Sequence, residues 1–234
     1  RNAYADSDED IMAAAVTYTD AKSDNVGGAS TTFSSVAIGT ASSDRYVVAV
    51  ATVRSAGTSD ITMTCTIGGV SATSAATVAS LTSSAHRQNI FIAAVPTGTT
   101  GNVVLTFSRS AIRSMISVFA VTGIDGLTAS ATATSTASPG SGTITIPAGG
   151  IAIAGSYNIL GGAYTWSNLT ERHDDVFNTN NYWSAASDAF ATLQTSRVIT
   201  ATMAGSPVQP VTCFAAWAQL SGGPTSSILS YWIE

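Results

Sequence analysis

The chain has 234 residues, 45% of them hydrophobic and only 10% charged, with much of the apolar share supplied by alanine. This length suits one β-sandwich or barrel domain, or at most two small ones, and the charge content lies well below the roughly 25% of an average globular domain. A net charge of −5, with nine scattered basic residues and Lys22 as the only lysine, disfavours a groove that tracks nucleic-acid phosphates and adhesion to anionic lipid. With no run of about 20 apolar residues, membrane insertion is not expected either.

Taken in chain order, residues 1–28 read differently from the rest. Ser7 followed by Asp8, Glu9 and Asp10 suits a helix N-terminus, where a hydroxyl caps and acids meet the positive end of the dipole. Ile11, Met12, Ala14, Ala15, Val16 and Tyr18 then fall at helical spacing, and Gly27-Gly28 ends the segment. A short N-terminal α-helix is expected, marginal by itself and in need of a partner. Its oligomerisation or docking face would be Ile11, Met12, Ala15, Val16 and Tyr18. The chain opens at Arg1 rather than Met, with no signal peptide ahead of it, which suits a processed chain or a piece of a longer one.

From residue 29 to 234 the pattern is that of one β-domain. Arg45–Arg54 (RYVVAVATVR) reads as a central strand, and Ile61–Ile67 alternates apolar residues with threonine. Asn89–Val95 is another apolar run, and Pro96–Gly101 a turn from which Asn102–Phe107 is expected to pair back. Arg113–Val121 follows. Residues 123–142 are rich in Gly, Ser, Thr and Ala and read as a long strand-poor loop or a seam between two sheets. Thr143–Ile146, Ile151–Tyr157, Tyr164–Asn168, Tyr182–Phe190, Val198–Met203 and Val211–Leu220 complete the strands. The expected class is all-β, an antiparallel β-sandwich of jelly-roll type with a short N-terminal helix. Cys65 and Cys213 each sit inside a strand-like run and read as buried free thiols, a single bridge between them being the alternative. With only two cysteines and two histidines there is no zinc spacing, and no cofactor is implied.

Several phrases are familiar together. Ser43-Asp44-Arg45 leading into Tyr46–Val50, Thr66–Val70, Val95–Gly101 and Val121-Thr122-Gly123 resemble a β-sandwich module of bacteriophage virion proteins, of tail-fibre, appendage or decoration type. The resemblance covers residues 36–123 and rests on strand-and-turn phrases rather than on catalytic signatures. Ala13–Lys22 looks like the helical linkers that join shaft and head in trimeric phage fibres, although no shaft is present here. The resemblance implies a rigid scaffold on the virion surface, with copies of itself in a homotrimer, other virion proteins and a host surface glycan as partners. A capsid decoration protein, or a secreted carbohydrate-binding or adhesin domain, fits the same sequence.

Five constellations could carry chemistry. Glu171–Asp175 is the densest charged stretch of the β-region. On a strand, however, Asp174 and Asp175 point to opposite faces, so an exposed edge or loop accounts for them better than an acid/base pair or a metal site. Asp6, Asp8 and Asp10 have the spacing of a calcium loop without its glycine, Ile11 standing there. No G-x-S-x-G elbow occurs, and three glutamates give little material for a glycosidase. The fifth is a sugar site: Tyr164, Trp166, Asn178, Asn180, Asn181, Tyr182 and Trp183, with Tyr157, Asn158 and Asn168 nearby in sequence, combine rings that stack on sugars with amides that read hydroxyls. The same rings would equally fill a core left thin by alanine. The expectation is therefore a non-enzymatic protein, with the loop Phe177–Tyr182 as the place for a ligand.

Overall fold

The structure is a computed structural model that describes residues 13–221. It is all-β, with fifteen strands in three antiparallel sheets. In chain order these are β1 (Ala15–Asn25), β2 (Ser30–Ala37), β3 (Tyr46–Arg54), β4 (Met63–Ile67), β5 (Val70–Ser71), β6 (Thr73–Ser80), β7 (His86–Ala94), β8 (Thr100–Phe107), β9 (Arg113–Thr122), β10 (Ala131–Ser135), β11 (Gly140–Ile146), β12 (Ile151–Ser167), β13 (Thr170–Phe177), β14 (Asn181–Ala189) and β15 (Gln194–Trp217).

The expected N-terminal helix is not found among the described residues. Ala15, Val16 and Tyr18 lie in β1, an edge strand paired antiparallel with β9 from Ala15↔Thr122 to Asn25↔Arg113. Ile11 and Met12 lie outside the described residues. The physical reason is competition. A lone helix of this length is marginal, whereas the open edge of β9 satisfies the backbone of eleven residues, several of them β-formers. Side chains fasten the strand further. Tyr18 meets Phe119 edge-to-face at 5.7 Å, Ala37 N donates to Asp20 Oδ2 at 2.9 Å, and Lys22 Nζ donates to Ser34 O at 2.7 Å.

Three sheets stack with a shared middle. The middle sheet, in the order β1-β9-β3-β7-β6, is covered by β2-β8-β4-β5 on one face. Its other face meets the sheet β10-β15-β12-β14-β13, in which β11 also pairs with β15. Val47, Ala49, Ala51 and Val53 of β3 face the first core with Ile67 and Leu105. Val48 and Val50 face the second with Ile153, Ala215 and Trp217. A strand covered on both faces needs a continuous apolar run, which is why β3 is buried from Val47 to Val53. The same layering separates Cys65 and Cys213. Both are free and buried, one in each core on opposite sides of the middle sheet, and burial raises both thiol pKa values, that of Cys65 to about 12.

One pairing departs from expectation. β8 does not return on β7 across the Pro96–Gly101 turn; it crosses to the outer sheet and lies between β2 and β4. Arg45 enforces this crossover. Its side chain is buried and donates to four backbone carbonyls: Val95 O (2.7 Å), Thr97 O (2.7 Å), Gly98 O (2.9 Å) and Gly39 O (2.7 Å). Asp44 beside it accepts from Gly123 N at 3.2 Å. The seam 123–142 contains β10 and the start of β11, and it carries the chain from the middle sheet to the third.

The third sheet curls over its own core. β12 pairs with the end of β15 through Ile151–Tyr157 and with its beginning through Tyr164–Ser167, with register shifts around Ile159 and Gly161. A Cβ at Gly161 would lie 2.3 Å from Asn158 Oδ1, so only glycine fits the bend. Ala152, Ala154, Phe214 and Ala216 face Tyr164, Trp166, Ile199 and Met203 inside the curl.

Candidate recognition site

The sequence-proposed sugar site divides between interior and surface. Tyr164 and Trp166 are buried inside the curl. Asn158 Nδ2 donates to Tyr164 Oη at 2.7 Å, and Trp166 Nε1 donates to Ser184 Oγ at 2.8 Å. Burial raises the Tyr164 pKa strongly. Trp183 is buried between the middle and third sheets, 5.0 Å from the His173 ring. These three rings fill core, the alternative that the sequence left open; alanines around Tyr164 and Trp166 leave room for them, and Trp183 packs with Met115, Tyr157 and Val211. Asn181 is also buried, accepting at Oδ1 from Tyr157 Oη (2.7 Å) and Arg54 Nη1 (3.1 Å). Only Asn178, Asn180 and Tyr182 reach the surface, Asn178 exposed and the other two half-buried.

Asn178 and Asn180 belong to the β13–β14 turn, which stands at one pole of the molecule. Asn178 Nδ2 donates to Asn25 Oδ1 at 2.7 Å, and Leu160 N donates to Asn180 O at 3.0 Å. Asn25 lies at the end of β1, on a rung that runs across the whole middle sheet: Asn25–Arg113–Arg54–His86–Ser80. Directly paired residues share a face. Arg54 reaches Asn181, and the His86 ring meets Tyr157 edge-on at 5.1 Å, so the rung faces the third sheet. Sequence reading missed Arg54, Arg113 and His86. The one available signal was that two apolar strand runs, RYVVAVATVR and RSMISVFAV, have arginine at the ends that antiparallel neighbours bring together.

The electrostatics of this pole are cationic. The ion pairs among the described residues are Lys22–Asp20, Arg87–Asp60 and Arg172–Asp188, and none includes Arg54 or Arg113. Nε of each is buried without a hydrogen-bond partner. Burial pushes the His86 imidazole down to about 4, the Arg54 charge acting in the same direction and the Gln209 backbone against it. Tyr157 is raised by burial, with Arg54 and Arg113 opposing. Ser84 Oγ and His86 Nε2 hydrogen-bond at 2.7 Å, but both residues are buried and Ser84 also donates to Gln209 Oε1 at 3.2 Å. A base with so low a pKa is poorly matched to neutral-pH proton transfer. Of the seven non-glycine residues with positive φ among the described residues, four, Leu160, Asn178, Thr179 and Gln209, sit at this pole. Such strain persists where surrounding structure holds it, and it concentrates at functional surfaces.

The charged stretch Glu171–Asp175 lies on β13, the outermost strand of the third sheet. Asp174 Oδ2 accepts from Tyr164 N at 3.0 Å while Asp175 is exposed. Among the described residues no cluster of three His, Cys, Asp or Glu side chains could hold a metal. Comparison with family models, with curated proteins and with solved structures found no match for this chain.

Proposed function

We propose that this chain is a non-catalytic display module of a bacteriophage particle, a trimeric tail-fibre or appendage head held at one pole and presenting loops at the other on the virion surface. One observation carries this reading. The described chain enters and leaves at the same pole: Ala14 N donates to Gly149 O (3.1 Å), a Cβ on Gly149 would run into Gln219, and Leu220 N donates to Gly123 O (2.8 Å). The rung of Arg113, Arg54 and His86 lies at the opposite end of the same strands, roughly 25 Å away at about 3.3 Å per residue along β3. A module tethered by its ends at one pole leaves the other free.

The resemblance phrases gain a physical meaning that supports the virion reading. Ser43-Asp44-Arg45, Val95–Gly98 and Gly123 come together at the tethered pole as one hydrogen-bonded lock. A charge-poor composition with a single lysine suits the same role.

Light scattering tests the proposal on the full chain and on a variant lacking residues 1–12, which leaves β1 intact. A trimer in the full chain, lost or weakened in the shortened one, is the expected result. A monomer in both would overturn the trimeric head and leave a decoration protein docked on other virion proteins as the better account.

A further inference from the structure

The geometry points to an oxyanion-binding site between Arg113 and Arg54 at the free pole, built to take the carboxylate of an acidic surface saccharide. This inference rests on the display reading and names the ligand chemistry of that same pole.

Three observations converge. Arg54 and Arg113 are directly paired across neighbouring antiparallel strands, an arrangement in which like charges destabilise a sheet. Neither has a carboxylate partner among the described residues. Each holds its Nε buried without an acceptor, which costs free energy unless something supplies one. Guanidinium is the side chain best matched to a carboxylate or phosphate, through its fork of parallel N–H donors. One oxyanion bridging the two half-buried guanidiniums would add a charged acceptor beside each and cancel the repulsion.

The neighbours favour a sugar acid over a free ion. The Asn178 amide beside Asn25 and the Asn180 side chain lie on the adjoining turn, and they offer the donors and acceptors that sugar hydroxyls need. The Arg54–Asn181–Tyr157 chain of hydrogen bonds holds the floor in place.

Isothermal titration tests this on the full chain with three probes: a glucuronate oligosaccharide, its carboxyl-reduced neutral counterpart, and inorganic phosphate. The variant is Arg113→Gln, because Arg113 makes no ion pair among the described residues. Binding of the uronate sugar is expected, with about tenfold or greater loss both in R113Q and for the neutral sugar, as befits a charge-assisted contact. The melting temperature of unliganded R113Q should equal or exceed that of the parent, since a repulsion is removed. Failure of the parent to bind either anion, or equal binding by R113Q, would overturn the site. Phosphate binding without preference for the uronate over the neutral sugar would overturn the saccharide assignment. A drop in R113Q melting temperature with unchanged affinity would make Arg113 structural. None of these outcomes depends on the oligomeric state, so failure here is distinguishable from failure of the trimeric head.

Discussion

Arg45 is one of the few charged side chains in the interior, and its role is structural. Its guanidinium satisfies four carbonyls, three of them in the crossover, that a neutral side chain would leave bare. Arg45→Met should therefore lower stability by about 3 kcal/mol or more, read by urea denaturation, whereas Arg109→Met on the surface should change little. His86 makes a prediction in pH. Its folded pKa of about 4 lies below the ordinary 6.5, so the unfolded chain binds more protons between those values. Stability is full above about 6.5 and falls as pH drops towards 4, by about 3 kcal/mol in total if the shift is taken at face value. His173 is lowered too and adds to the slope, while Glu171 and Asp174, both raised by burial, oppose it near the bottom of the range. The window from about 5 to 6.5 thus belongs mainly to the histidines. Denaturation midpoints of His86→Gln should be flatter there than those of the parent, and an equal slope in both would refute the assignment.

At the scale of elements, β1 and the contact between sheets decide most. β1 closes one edge of the middle sheet, so a truncation through residue 25 removes a strand rather than an appendage. That variant should lose about 2–3 kcal/mol of apolar burial from Val16 and Tyr18 and expose the β9 edge to intermolecular pairing, visible as aggregation on size exclusion; removal of residues 1–12 alone should not do this. The middle and third sheets approach closely at a glycine, Gly155. A Cβ on Gly155 would lie 2.2 Å from Val50 Cγ1, and Val50 is itself buried. Gly155→Ala should cost about 1–3 kcal/mol by overpacking. Val50→Ala should cost less in that background than alone, a coupling that a double-mutant cycle reads directly. The charged edge strand β13 is tied to β14 by the partly exposed Arg172–Asp188 pair at 3.2 Å, which adds little stability; its charges serve better to block edge-to-edge association.

For the whole molecule, layering sets where rigidity lies. The middle sheet is covered on both faces, and its amides should open only with global unfolding, while those of β5 and β13 open locally. Hydrogen exchange should therefore find the slowest amides between Val47 and Val53; faster exchange there than in β13 would contradict the three-sheet stack. A rigid centre also fixes the distance between the two poles, as the proposed display role requires.

What was legible in the sequence follows from local physics. The valine run of β3, the alternation of β4, the Gly-Gly and Pro-Thr-Gly turns and the class itself are set by side-chain period and turn chemistry, which act over a few residues. Buried free thiols could be read as one alternative for the same reason. The rest depended on contacts between distant residues. Apolar residues of the N-terminal segment fit a helix in period, yet the open edge of β9 claimed them for a strand. Tyr164, Trp166 and Trp183 carry the chemistry of a sugar platform, yet the curl of β12 and β15 turned the first two inward over alanine, and the packing of the middle sheet on the third enclosed Trp183. Arg54 and Arg113 stand 59 positions apart in the chain, and no local pattern links them. Only strand order, decided when the sheets pair, brings them to one rung.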